Sequence, residues 1–157
     1  MNKTGFTLIE LMVAISIVAI LATIGMMMFS SAQGTARDAK RKGDIEDIKK
    51  AMYLYKASSG SFCIPSVACT ASSNAYYPIS AFYSGYAAGG IPAILSPYLK
   101  ALPTDPQQAS DNTHVYALRI TGDSTFEVYG RLEKGGSATG GCTIPVDAYN
   151  HNYCISQ

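Results

Sequence analysis

Histidine is nearly absent from this 157-residue chain, with only His114 and His151, and no two cysteines are spaced C-x-x-C. A tetrahedral zinc site is therefore poorly supported. Neither histidine has an acid or a nucleophile at a suggestive spacing, so no hydrolytic site is expected. "GGSATGG" is glycine-rich, but no Gly-Lys-Ser/Thr follows it, and it reads as a surface loop rather than a phosphate cradle. The formal charge is +1, too small to argue for nucleic acid or an acidic partner. Asp105, Asp111 and Asp123 are scattered and match no calcium-loop pattern. The expectation is a chain that is not an enzyme and uses no cofactor, metal or small-molecule substrate.

Charge is also missing from one long stretch. Phe6 to Phe29 is 24 residues in which Glu10 is the single charge. As a helix this run would cross about 30 Å of hydrocarbon. A secretory signal would carry a shorter apolar region and a small-residue cleavage site beyond it. Here the helical pattern continues through "ARDAKRKGDIEDIKKAMYLYKASSG", where Ile45, Ile48, Met52 and Tyr55 recur on one face. No proline interrupts it, and Gly60 is the expected stop. One helix over 6–58 is expected, roughly 80 Å long, with 6–29 transmembrane. Apolar all round in its first half, it must sit in lipid or among copies of itself.

Residues 59–157 remain for an extracytoplasmic globular head. "HVYALRI" and "TFEVYGRLE" read as strands flanking the turn "TGDS". In the second, Phe126, Val128 and Leu132 alternate with Glu127, Tyr129, Arg131 and Glu133, giving one apolar face to lie on the helix. The fold class is α+β. Ser61 to Gly90 shows no sustained period and reads as an irregular connection. "RDAKRK" reads as a solvated helix face or a source of salt bridges between subunits. Tyr76, Tyr77, Tyr83 and Tyr86 belong either to a contact surface or to the core. The four cysteines, behind a membrane segment, suggest disulfides outside the cytoplasm. Three pairings are possible, the local ones, Cys63–Cys69 and Cys142–Cys154, being favoured; buried free thiols are the alternative.

"GFTLIE" followed by an apolar run resembles the N-terminus of the type IV pilin and type II secretion pseudopilin family. The resemblance implies a leader, residues 1–5, cut between Gly5 and Phe6 by a prepilin peptidase that also methylates Phe6. It implies that Glu10 sets the filament register by meeting a neighbour's new amine in a dry core. A lone acid deep in a membrane helix costs about 2.5–3.5 kcal/mol, and the simpler alternative is that Glu10 snorkels to the headgroups. The implied fold is a long helix on a small antiparallel sheet, with a disulfide-bounded C-terminal loop. Where many members have a glycine and then a proline along the helix, this chain has Ala19 and Met27.

The implied partners are further copies of the chain, the peptidase/methylase, the pilus assembly machinery and, before assembly, the inner membrane. Nucleic acid is not expected through this chain alone. The function expected is polymerisation of a single-pass inner-membrane precursor into an extracellular type IV pilus. "ARDAKRKGDIEDIKKAMYLYKASSGSF" and "YLKALPTDP" resemble the G-type pseudopilins, which bind calcium in the head, and make a periplasmic pseudopilus the alternative. A single-span anchored binding protein that never polymerises is a second alternative.

Overall fold

A computed structural model describes residues 5–64, 76–79, 91–107, 114–144 and 150–156. The chain divides into two compact units, 1–36 and 37–157. Helix α1 (Leu8–Ser59) supplies the described structure of the first unit beyond Thr7 and opens the second. It is followed by β1 (Tyr77–Ile79), α2 (Ile91–Leu95), β2 (Tyr116–Ile120), β3 (Phe126–Gly130), β4 (Ala138–Thr139) and β5 (Tyr153–Ser156). The helix stops at Gly60, whose φ of 84° is open to glycine without strain and whose N–H returns to the Lys56 carbonyl at 2.8 Å.

In the second unit the α1 residues pack on a sheet of order β1-β2-β3-β5-β4, an α+β arrangement consistent with a pilin. The sheet is mixed rather than wholly antiparallel. β1–β2, β2–β3 and β3–β5 are antiparallel, while β4 joins β5 in parallel, Ala138 opposite Cys154 and Thr139 opposite Ile155. The turn between β2 and β3 closes where the composition placed it, with Thr121 N–H on the Thr125 carbonyl at 3.1 Å.

Ile45, Ile48 and Met52 are fully buried, in one cluster with Ile79, Leu118, Ile120, Phe126, Val128 and Ile155. Tyr55 is half-buried at its edge, its hydroxyl donating to the Cys63 carbonyl at 2.9 Å. The opposite face of the sheet is covered too. Tyr129, expected on a polar face, is buried with Ala117, Cys142 and Cys154. Its hydroxyl donates to Glu127, which also takes Arg119 at 2.9 Å, so the phenol's polar tip is satisfied while its ring is covered. Tyr76 stacks edge-on to Tyr129 and Tyr77 is buried, whereas Tyr83 and Tyr86 lie outside the described residues.

The charge run on α1 is not simply a solvated face. Arg41 is wholly buried, and all five of its N–H donors are used. Two reach Asp105, at 2.7 and 3.0 Å; the others reach Asp38, Glu133 and Gln107, each at 2.8 Å. Burial by itself would raise the Asp38 pKa. The backbone N–H groups of Glu133 and Lys134, with Arg41, outweigh it and hold that carboxyl below its ordinary range. Arg37 grips Glu133 with two 2.7 Å hydrogen bonds and, assisted by Arg41, pulls its pKa down to about 2. One guanidinium thus ties the helix to the segment after α2 and to the chain leaving β3.

Candidate functional site

The first unit is where the sequence concentrates its unusual features. Its part of α1 is apolar on every side and long enough to cross a membrane by length and composition. None of the most hydrophobic window is buried against protein, and Leu8, Ile9, Met26, Met27 and Met28 are each at least 70% exposed. An exposed apolar surface of this extent marks an interaction face, suited to lipid or to other apolar helices.

Gly5, Phe6 and Thr7 precede the helix without regular structure and are exposed. The helix begins at Leu8 because Thr7 caps it. The Thr7 carbonyl accepts the Leu11 N–H at 3.3 Å, the first bond of the helical ladder. Glu10, three residues on, returns its carboxylate to the Thr7 N–H at 3.0 Å and to the Thr7 hydroxyl at 2.6 Å. The Glu10 N–H in turn approaches the Thr7 hydroxyl oxygen at 3.4 Å. This is the reciprocal Thr-x-x-Glu capping box, which satisfies donors that a helix start otherwise leaves orphaned. Glu10 also borders a shallow apolar groove of about 420 Å³ lined by Phe6, Ile9, Val13, Ala14 and Ile17.

Gly5, Phe6 and Glu10 therefore lie together at the start of the apolar helix. Thr7, which the sequence reading passed over, binds Glu10 directly. Its signal was present, since a threonine three residues before a glutamate at the head of an apolar run marks a helix start. The cysteines lie apart, in the second unit. Cys142 and Cys154 are joined by a disulfide that ties the chain after β4 to β5. Cys63 is disulfide-bonded, and Cys69 lies outside the described residues. Asp105 faces Arg41, Asp123 accepts the Ser61 hydroxyl at 3.1 Å, and Asp111 lies outside the described residues.

A family model described as the prokaryotic N-terminal methylation motif matches residues 1–26. No curated protein and no solved structure matches the chain. The motif covers the segment in which Gly5, Phe6, Thr7 and Glu10 sit. It supports the likeness to type IV pilins and pseudopilins, and implies a prepilin peptidase substrate in a pilus-assembly setting. With the apolar helix, it is consistent with a membrane-anchored precursor.

Proposed function

We propose that this chain is a structural subunit of a type IV pilus, released from its residue 1–5 leader by cleavage between Gly5 and Phe6 and methylated on Phe6. The observation that carries the reading is the methylation motif over residues 1–26, set on a helix whose apolar surface has no cover of its own. In the membrane that surface meets lipid; in the fibre it meets the helices of other copies. Glu10 pairs with a neighbour's Phe6 amine in the fibre core, where a charge pair is far stronger than in water. A copy in the wrong register leaves the acid buried without a countercharge, which is the costly state. Residues 37–157 then form the outer surface, with the Cys142–Cys154 loop among its features.

The test is Glu10→Ala. The expected outcome is a membrane level equal to the natural chain's, with fibres in the sheared fraction absent or strongly reduced. Normal fibre yield from this variant would defeat the register role. A type II secretion pseudopilus is the second reading, favoured by "YLKALPTDP", whose Asp105 closes on Arg41. It shares the processing and the core and differs in where the polymer is found.

A further inference from the structure

We propose that Thr7 is a positioning residue for Glu10: in the subunit that has not yet assembled, it holds the carboxylate in place within its own chain. The three Thr7–Glu10 contacts are reciprocal, so the acid is paired before any neighbour arrives. Two consequences follow for a helix in an apolar environment. The carboxylate, accepting both the Thr7 hydroxyl and the Thr7 N–H, is less costly to hold there than an acid with no donors. The cap also fixes the helix start at Leu8, which leaves Gly5 and Phe6, and with them the Gly5–Phe6 bond, outside the helical ladder.

Both Thr7 donors meet the same oxygen, Oε2, so a neighbour's amine approaches Oε1 of a carboxylate that Thr7 has already aimed. Thr7 thus sets the orientation of the acid that a docking subunit meets. This consequence rests on the polymer reading above, whereas the hold of Thr7 on Glu10 is a property of the single chain.

The experiment measures that property without any polymer. Full-length chain in detergent micelles is compared with Thr7→Val, Thr7→Ser, Glu10→Ala and the Thr7→Val/Glu10→Ala double variant. Amide exchange at position 10 and at Leu11, whose N–H groups meet the Thr7 hydroxyl and the Thr7 carbonyl, is read by NMR in each. Valine keeps the shape but has no oxygen, so exchange at the first turn should be about fivefold faster, the equivalent of the ~1 kcal/mol an N-cap contributes. Serine restores the oxygen and should exchange as threonine does. The double variant should be no faster than the faster single one, because both act on the same box. Thr7→Val exchanging at the natural rate, or effects of the two single changes that simply add, would overturn the assignment. Fibre yield does not enter this readout, so its outcome and that of the Glu10→Ala fibre test are separable.

Discussion

Arg41 and Asp105, 64 residues apart in sequence, form a two-point ion pair inside the second unit, the carboxylate almost as thoroughly buried as the guanidinium. Such a pair is weak grounds for net stability, but removing one member leaves the other buried and uncompensated. Arg41→Ala leaves Asp105 buried without a countercharge and takes one donor each from Asp38 and Glu133, and should destabilise the second unit by about 3–5 kcal/mol. Arg41→Lys should recover only part, because an ammonium has three donors where five are engaged. Lys50→Ala is the control. Its partner Asp47 and Lys50 itself are 60% and 70% exposed, and the change should leave the unfolding midpoint almost unmoved. Thermal unfolding of the three variants in micelles checks the order; equal losses for Arg41→Ala and Lys50→Ala would contradict it.

Acid should loosen the same cluster in a defined window. Glu133, held at about 2 by Arg37 and Arg41, stays ionised in the folded chain while its unfolded counterpart protonates near 4.5. A depressed carboxylate contributes stability that is complete above the unfolded value and is lost as pH falls through the folded one. Asp38, also lowered, adds in the same direction. Tm should be level between pH 7 and 5 as far as these groups determine it, and should fall from about 4.5 towards 2. Glu133→Gln should start lower at pH 7 and fall less steeply. An acid slope identical in both proteins would remove Glu133 from the explanation.

Opening the Cys142–Cys154 bridge frees a loop with a sequence separation of 12. By chain entropy this should cost about 3 kcal/mol. The loss should be confined to the β4–β5 edge before it becomes global, since Cys154 pairs with both Ala138 and Tyr129. Cys142→Ser/Cys154→Ser, followed by amide exchange at residues 137–141 and 152–156, tests this. Unchanged protection along that edge would count against it.

The glycines of "GGSATGG" are not spare length. A Cβ on Gly136 would lie 1.4 Å from the Asn152 carbonyl oxygen, so the two backbones must separate to accept any side chain. Asn152 is also the residue whose amide bridges both backbone groups of Leu132, at 2.6 and 2.8 Å. Gly136→Ala should therefore cost more than about 3 kcal/mol and disturb Leu132 as well. Gly135→Ala meets no atom and is strained only through its φ of 82°, so its cost should be about 1–2 kcal/mol. Comparing unfolding midpoints decides between a packed turn and a free loop.

What the sequence could reveal was periodic or contiguous. Ile45, Ile48 and Met52 announced the buried face of α1, and the alternation around "TGDS" announced β2 and β3. Short strands carried no such signal: β1 has three residues with Pro78 at a sheet edge, and β4 has two, both exposed. The parallel pairing of β4 depends on a return of the chain that no local pattern encodes. The burial of Arg41 is hidden for a related reason. Its neighbours in "RDAKRK" look solvated, and the residues that bury it, Asp105 and Glu133, lie 64 and 92 positions away. Thr7 is legible in the sequence as a threonine three residues before a glutamate at the head of an apolar run.

The most direct measurement is the intact mass of this chain from fibres sheared off the cell surface, beside the mass of the cell-bound chain. A surface pilus subunit processed at the matched motif should appear in the sheared fraction beginning at a methylated Phe6, without residues 1–5. The same processed species confined to the cells would contradict the surface pilus and favour the pseudopilus. Full-length chain beginning at Met1 in every fraction would contradict processing altogether and leave an anchored protein that never enters a fibre.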